Sequence, residues 1–253
     1  IDIPLAGWAD DHQPLFNYFK QLFAQVTNPP IDAEREKIVT ARTVYIGKNG
    51  NLLQEKEDNC RVIKISNPIL TDLDILKIES MKEEGFKVAK VSTLYYKTTP
   101  MKRVLDHLFV EVDKARREGA TILILSDRGV DENHVAIPSL LATSAVHNHL
   151  VTTRKSTAMS LIVESGEPRE VHHFATLLGF GASAVNPYLA HASIAELIKA
   201  ELLDKDYYAA VEDYDNAVLS GIVKIASKMG ISTVRSYQGS KMFECLGISP
   251  EVI

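Results

Sequence analysis

The stretch Ile122-Leu123-Ile124-Leu125-Ser126-Asp127-Arg128-Gly129 decides the fold class of this chain. Four consecutive apolar residues are followed by four polar or small ones, as expected of a strand that is buried on both faces and ends at the edge of a sheet. The same pattern returns along the chain. Comparable apolar runs occur at 62–65, 88–94, 161–163, 184–185 and 231–234.

Stretches with the apolar spacing of helices separate these runs. They lie at 71–84, 101–118, 137–150, 169–178, 190–203, 207–229 and 239–246. Strands that alternate with helices predict an α/β fold with a parallel sheet, because right-handed crossovers place the helices against the sheet. Periodicity leaves two architectures open, a doubly wound sheet and an incomplete eight-stranded barrel.

The N-terminal part of the chain has a helical pattern of its own. Apolar residues recur at three- and four-residue spacing from Pro14 to Val26, which predicts a helix that ends before Pro29 and Pro30. Asp32 follows the prolines at the position of a helix cap, so we expect a second, short helix that continues to Val39.

A small hairpin is predicted next. Lys48-Asn49-Gly50-Asn51 separates short stretches at 43–46 and 52–54, and Asn-Gly is the strongest short-range signal of a hairpin. We therefore divide the chain into a helical and hairpin extension at 1–60 and an α/β core at 61–253.

Composition describes an ordinary globular protein. The 253 residues are 45% hydrophobic and 24% charged, with a formal net charge of -5. These values are unlike those of disordered chains or of basic nucleic-acid-binding domains. No apolar run approaches the roughly 20 residues that span a bilayer. We therefore expect no nucleic-acid partner, no membrane partner and a cytoplasmic location.

The sequence offers no metal, cofactor or nucleophile site that is complete on its own. Two cysteines, Cys60 and Cys245, are too few for a disulfide scaffold, a four-cysteine zinc site or a cysteine-ligated iron–sulfur cluster. The eight histidines lack the His-x-x-x-His spacing of zinc-binding helices, and the chain has no phosphate-binding loop motif. We expect no catalytic, cofactor-binding or metal-ligating residue in this chain.

Polar residues directly follow three of the apolar runs. Asp127 and Arg128 follow one run, Glu164 follows another, and Asn186 follows a third. Ligands of parallel α/β folds bind at the carboxyl ends of the strands, so these four residues suit a free-standing enzyme that acts on a small anionic substrate. The alternative is a structural network of ion pairs and capping bonds at the strand ends.

Longer strings carry more information than spacing does. They read YFKQLFAQVTNPPID at 18–32, SDRG at 126–129, VESGEPREVHH at 163–173, GFGASAVNPYL at 179–189 and SKMGIST at 227–233. In this order they resemble the central domain of the glutamate synthase large subunit. The resemblance runs from Pro4 to Leu246 and implies a degenerate, incomplete TIM-barrel-like domain.

The family resemblance also implies a role within a larger enzyme. In that family, a glutaminase domain releases ammonia from glutamine, and a tunnel leads it to 2-oxoglutarate at an FMN-binding barrel. The central domain joins these two domains and has no active site of its own. FMN and an iron–sulfur cluster are expected in the neighbouring domain, none in this fragment. A small NAD(P)H-dependent subunit or ferredoxin supplies the electrons.

One segment is singled out by the resemblance. Thr27-Asn28-Pro29-Pro30, here called the proline loop, corresponds to the family's segment near the mouth of the ammonia tunnel. A conduit for neutral ammonia needs backbone carbonyls, small polar groups and apolar walls, and two prolines fix backbone groups at little entropic cost. The alternative is that the loop only ends one helix and starts the next.

Overall fold

The computed structural model describes residues 6–22, 29–51 and 53–249. The strands are β1 (Phe19–Gln21), β2 (Val44–Gly47), β3 (Val62–Ile65), β4 (Val88–Ser92), β5 (Leu94–Tyr96), β6 (Ile122–Ser126), β7 (His134–Ala136), β8 (Ser160–Glu164), β9 (Ala184–Asn186) and β10 (Phe243–Cys245). The α-helices are α1 (Ala33–Val39), α2 (Asp72–Glu79), α3 (Met101–Arg117), α4 (Ser139–Thr152), α5 (Val171–Gly179), α6 (Tyr188–Lys199), α7 (Tyr207–Lys228) and α8 (Val234–Tyr237).

A parallel sheet of four strands forms the centre, in the order β4-β6-β8-β9. Its register places Lys90 beside Ile124, Ile124 beside Ile162, and Ile162 beside Ala184. A single parallel bridge between Ile69 and Val185 extends the sheet beyond β9. The predicted α/β class with a parallel sheet is confirmed.

The strand order decides between the two architectures that periodicity left open. Each new parallel strand joins the same edge of the sheet, so right-handed crossovers bring all the connecting helices to one face. A doubly wound sheet would reverse direction and place helices on both faces. The sequential order is that of a barrel, and the incomplete barrel-like fold is confirmed.

The outer face of the sheet packs against the crossover helices. Leu123, Leu125 and Leu161 form one apolar cluster with residues of α3 and α4. Val163 and Val185 belong to a second cluster with residues of α5 and α7. These runs are apolar at every position because the opposite face is buried as well.

The inner face is filled by an antiparallel strand pair and a helix. Ile122, Ile124 and Ile162 form a cluster with Ile46 of β2 and with Leu70 and residues of α2. Beyond these apolar positions, the same face continues with Ser126, Glu164 and Asn186, which lie side by side in register. The candidate residues are therefore at the carboxyl end of the barrel interior.

The helix predicted from Pro14 to Val26 is wrong for the residues that the structure describes. A 3-10 turn at Leu15–Tyr18 leads into β1, which pairs antiparallel with β10. Phe16 and Phe19 are both buried, and Phe19 packs edge-to-face on Phe180 at 5.1 Å. Tertiary pairing with the C-terminal segment thus overrides the helical spacing. Residues 23–28 lie outside the described part.

The predicted hairpin has a different partner strand. β2 pairs with β3, not with residues 52–54, and the connection runs from 48 to 61. The alternation in β2 and β3 explains this choice, because Val44 and Ile46 are fully buried whereas Leu53 is 95% exposed. β3 was expected in the parallel sheet, and this expectation is wrong. α1 is confirmed, with the Asp32 side chain accepting hydrogen bonds from the amides of Glu34 and Arg35.

Two further C-terminal predictions are wrong. The run at 231–234 makes one bridge, Thr233 to Ala41, and the Thr233 side chain then caps α8. The helix predicted at 239–246 is absent, because Gly239 and Lys241 have φ angles of 70° and 53°. These left-handed residues cannot continue a helix, and β10 follows them.

The division at residue 60 stays a prediction. β2 lies before that position and shares a cluster with strands that lie after it, and β1 pairs with β10. Within the described ranges, no helix has both the length and the apolar character needed to cross a membrane.

Candidate functional site

Glu164 is the centre of the polar group at the carboxyl end of the sheet. Its side chain is 2% exposed. Ser126 Oγ donates to Glu164 Oε2 at 2.5 Å, Lys90 Nζ lies 2.8 Å from the same oxygen, and Arg128 Nε donates to Oε1 at 2.7 Å. Both carboxylate oxygens are therefore engaged by donors from three neighbouring positions.

These donors determine the charge of Glu164. Burial by itself acts to raise the pKa of this carboxyl, but the hydrogen bonds from Lys90, Ser126 and Arg128 outweigh it and hold the pKa below its usual value. The group is thus a permanent carboxylate at neutral pH. A general acid or base needs a pKa near the working pH, so this arrangement suits an ion-pair anchor.

Arg128 connects Glu164 to the rest of the barrel end. Its guanidinium donates to Asp72 Oδ1 at 2.8 Å and lies over the Tyr188 ring, 4.0 Å from the ring centroid. Asn186 Nδ2 donates to the same Asp72 oxygen at 3.0 Å and to the Leu70 carbonyl at 2.9 Å. Arg128, Glu164 and Asn186 are therefore brought together through Asp72.

Asn186 is completely buried, and the oxygen of its side-chain amide differs from the nitrogen in its hydrogen bonding. Its Oδ1 has no hydrogen-bond partner among the described protein atoms. Its Nδ2 group accounts for both bonds of the side chain. A buried amide held on one side in this way ties β9 to the start of α2.

Asp127 belongs to an adjacent group on the other side of the strand end. It accepts hydrogen bonds from Ser165 Oγ at 2.5 Å, from the Gly166 amide at 3.1 Å and from the Tyr188 hydroxyl at 2.7 Å. Burial and the hydrogen bond to Asp127 raise the pKa of Tyr188. Tyr188 therefore remains a neutral donor and joins the two groups by also stacking under Arg128.

The four predicted strand-end residues thus form two connected groups, in which the carboxylates of Asp127 and Glu164 are satisfied by neighbouring donors and Asn186 Oδ1 is left without a partner among the described protein atoms. A cavity of about 10 Å³ lined by Asp127, Glu164 and Ser165 adjoins them. That volume holds no more than about one water molecule. The geometry favours the structural network over an anion-binding or acid–base site.

Sequence reasoning missed three members of this network. Lys90, Asp72 and Tyr188 each contact a predicted residue. Lys90 is the lone charge within the apolar run at 88–94, which was the available signal. A charge inside a buried strand needs a partner of opposite sign.

The proline loop is only partly within the described residues. Thr27 and Asn28 lie outside them, so their predicted role has no structural description. Pro29 and Pro30 are exposed. The Asp32 cap of α1 follows two residues later.

Histidines in the described residues have structural surroundings. His149 stacks on Phe109 at 4.6 Å and lies 3.2 Å from Asp113, and His173 stacks on Phe16 at 4.5 Å. Across the described ranges, no three His, Cys, Asp or Glu side chains are grouped as a metal site would require.

Comparisons with known proteins give one consistent result. The family model described as glutamate synthase central domain matches residues 1–249. The NADPH glutamate synthase large chain of Bacillus subtilis is 47% identical over 252 residues, which cover 100% of this chain and 16% of that protein.

Two further relatives differ in the electron donor that their names give. The NADH glutamate synthase of Schizosaccharomyces pombe is 40% identical over 100% of this chain and 12% of its own length. Ferredoxin-dependent glutamate synthase 2 of Synechocystis is 39% identical over 100% of this chain and 17% of its own length. The chain therefore spans a small part of each relative.

Solved structures are more distant. A mutant flavocytochrome b2 with benzoylformate aligns with 66% of this chain and 36% of its own, at 14% identity and a TM-score of 0.47. Inosine 5' monophosphate dehydrogenase from Legionella pneumophila aligns over 71% of both chains, at 11% identity and a TM-score of 0.40.

Proposed function

This chain belongs to the family of glutamate synthase central domains, and we propose that it joins the glutaminase domain of such an enzyme to the FMN-binding domain. In the whole enzyme, glutamine, 2-oxoglutarate and a reductant give two molecules of glutamate. The central domain supplies a rigid connection and part of the ammonia path. It contributes no complete active site.

The match along the whole chain carries this proposal. Residues 1–249 fit the family model, yet the chain makes up only 12% to 17% of the three relatives. The structure supports a connecting role because the acidic side chains at the barrel end are all hydrogen-bonded to neighbours within the domain. No acid or base of the strand-end cluster is left free for turnover.

Cofactors and partners belong to the rest of the enzyme in this proposal. FMN and an iron–sulfur cluster bind in the neighbouring domain, and ferredoxin or a small NAD(P)H-dependent subunit delivers electrons. Relatives whose names give NADPH, NADH and ferredoxin all match this chain along its full length. The choice of donor therefore resides outside the central domain. The enzyme works in the cytoplasm.

The proline loop forms part of the ammonia path. Thr27 and Asn28 offer small polar groups, and the exposed Pro29 and Pro30 restrict the backbone beside them. Carboxylates would stabilise ammonium and stop it, and the quartet Thr27-Asn28-Pro29-Pro30 contains none.

Replacement of Asn28 in the full-length enzyme tests this role. Asn28→Ala is expected to leave glutamine hydrolysis active while less of the ammonia reaches glutamate, so free ammonia accumulates. The measurement compares glutamine consumed with glutamate formed in the presence of 2-oxoglutarate and reductant. Asn133→Ala, at an exposed position after β6, is the matched control. Unchanged stoichiometry for Asn28→Ala would remove the loop from the ammonia path.

The rival function is a free-standing enzyme that uses Asp127, Arg128, Glu164 and Asn186 on a small anionic substrate. It requires a group that is free to bind or to transfer a proton, and the hydrogen bonds around Asp127 and Glu164 oppose it. Titration calorimetry of the purified chain with inorganic phosphate and with 2-oxoglutarate separates the two functions. If the chain is a connecting domain, neither ligand should give a heat of binding. The absorption spectrum of the purified chain should also show no bound flavin.

A further inference from the structure

A cavity of about 430 Å³ lies between helix α3 and the strands β4 and β5. Its volume falls within the range of about 300–1,000 Å³ that is typical of sites for small organic molecules. Of the residues in the strand-end network, Lys90 lines this cavity, and its ammonium is already bound to Glu79 and Glu164. The cavity is therefore a feature of its own beside the site described above.

The cavity adjoins the open edge of the parallel sheet. The Lys87 carbonyl accepts a hydrogen bond from the start of β6 at 3.2 Å, and the Thr93 amide donates to the end of β6 at 2.8 Å. Every second residue of a parallel strand bonds to the same neighbour, so the backbone groups of Lys90 and Ser92 point to the opposite edge. Both residues line the cavity, which therefore has main-chain donors and acceptors on one side.

The inner wall of the cavity is apolar and aromatic. Val104, Leu108 and Ile137 line it, and each is at most 6% exposed. Tyr95 and Tyr96 of β5 add two aromatic rings to the lining. An apolar or aromatic group gains free energy when it leaves water for a wall of this kind.

Two hydrogen-bond donors line the cavity on one face of α3. Arg103 and His107 are four residues apart, so they lie on successive turns of the helix. Both are exposed, and within the described ranges neither side chain has a hydrogen bond or an ion pair. Glu111 also lines the cavity, and its carboxylate lies 4.0 Å from Lys114. A guanidinium and an imidazole without acceptors suit one carboxylate, which Arg binds in a forked geometry.

We propose that this cavity binds a small organic acid that carries one carboxylate and an aromatic or apolar body. The carboxylate accepts hydrogen bonds from Arg103 and His107, and the body packs against Tyr95 and the apolar residues of α3. Such a site is independent of the connecting role of the domain. Inorganic phosphate and 2-oxoglutarate lack an aromatic or apolar body, so neither is a ligand of this cavity.

The probe for this site is 2-naphthoate, which joins one carboxylate to a rigid aromatic body. Titration calorimetry of the purified chain at pH 7 should show saturable binding at one site. The neutral 2-naphthamide has the same ring system and should bind about tenfold more weakly, which is the effect of losing one hydrogen bond to a charged group. Acetate has the carboxylate without the body and should give no saturable heat.

Replacement of the two donors locates the bound carboxylate. Arg103→Gln removes the guanidinium and should weaken the binding of 2-naphthoate by about tenfold. His107→Ala should weaken it by about threefold to tenfold, as expected for a neutral hydrogen bond. Lys102→Gln is the matched control, because Lys102 is exposed on the same helix, has the same charge as Arg103 and does not line the cavity. The control should leave the affinity unchanged.

Three results would overturn the proposed site. The first is the absence of saturable 2-naphthoate binding by the native chain. The second is equal affinity for 2-naphthoate and 2-naphthamide, which would show that no group recognises the carboxylate. The third is equal weakening by Lys102→Gln and Arg103→Gln, which would show a general attraction to the charge of α3. The comparison of the acid with its amide uses the native chain, so it remains decisive even where a variant fails to fold.

Discussion

Glu164 shows at the scale of one residue why a buried charge survives in this core. The carboxylate loses hydration but gains Lys90, Arg128 and Ser126 as donors. Removal of one partner from a buried ion pair leaves an uncompensated charge, which costs about 3–5 kcal/mol. The strand ends therefore depend on the complete set rather than on any one bond.

A neutral amide at position 164 tests this account. Glu164→Gln should lower the free energy of unfolding by about 2 kcal/mol, because Ser126, Lys90 and Arg128 lose a charged acceptor. The cost stays below that of an isolated buried charge, since Lys90 and Arg128 are partly exposed and keep their ion pairs with Glu79 and Asp72. Urea unfolding of the purified chain at pH 7 measures the change. Glu132→Gln, at an exposed position after β6, should have almost no effect. A loss below about 1 kcal/mol, the range of exposed pairs, would contradict a buried network.

The same residue predicts a pH dependence. Because the folded state lowers the pKa of Glu164, its stabilising contribution is present above the usual value of 4.5 and is lost as the pH falls through the lower folded value. Stability of the native chain should therefore decline below about pH 4.5. The test is to measure the urea midpoint of both proteins at several pH values from about 3 to about 7, the range that includes the titration of carboxyl groups. The midpoint of Glu164→Gln should depend less on pH than that of the native chain. The same dependence of the midpoint on pH in both proteins would contradict the lowered pKa of Glu164.

At the scale of elements, the packing of α5 on α7 depends on Gly221. A Cβ at this position would lie 2.5 Å from a methyl carbon of Val171. Alanine favours a helix over glycine by about 1 kcal/mol, but overpacking costs about 1–3 kcal/mol. The clash involves a branched side chain at the start of α5, which has little freedom to move aside.

Gly221→Ala should therefore destabilise the chain by about 1 kcal/mol despite the better helix propensity. Thermal unfolding followed by circular dichroism measures the change. The double variant Gly221→Ala/Val171→Ala should be more stable than Gly221→Ala alone, because the smaller side chain makes room. A stabilised single variant would show that propensity outweighs the contact.

Prediction from sequence succeeded for elements whose burial is uniform. β6 and β8 are buried throughout and each has a continuous apolar run, and α3 has a regular apolar stripe, so local pattern and tertiary environment agree. It failed where a distant partner decides. Residues 19–21 carry helical spacing but pair with β10, more than 220 positions away in the chain.

Only part of the candidate site could be predicted from the sequence. The carboxyl-end rule selected Asp127, Arg128, Glu164 and Asn186, which the structure places close together, and it missed Lys90, Asp72 and Tyr188. Whether these side chains are free to bind a ligand depends on their hydrogen bonds to Asp72 and Tyr188. No local sequence pattern shows that Asp72 and Tyr188 lie within hydrogen-bonding distance. The spacing of the apolar runs therefore predicts where polar residues gather, but it does not predict whether their hydrogen bonds are made within the domain.

At the scale of the whole molecule, β1 and β10 tie the two ends of the described chain together. Phe19 lies opposite Cys245 and Gln21 opposite Phe243, and Phe243 stacks on Phe180 at 5.6 Å. The first and the last strand of the described residues therefore form one two-stranded sheet.

Removal of residues 242–253 tests this tie. Without β10, the amides of Phe19–Gln21 lose their strand partner and should exchange hydrogen faster, together with the amide of Leu22. Hydrogen-exchange mass spectrometry of the purified chain reports this loss. Removal of residues 250–253 alone is the control and should leave the exchange of β1 unchanged. Equal protection after the longer truncation would place the anchor of β1 elsewhere.

The sequential strand order has a consequence for how the molecule behaves among its own copies. A barrel that stops short of closure leaves β4 with β6 as its only strand partner in the described sheet, and such an edge invites the addition of a strand from another chain. Lys90 stands at the middle of β4 with its ammonium directed at Glu164 and Glu79. Charged side chains, lysine above all, are what natural sheets place on edge strands to disfavour the addition of a further strand. The lysine that completes the ion-pair network is thus also a residue of the kind expected on an edge strand.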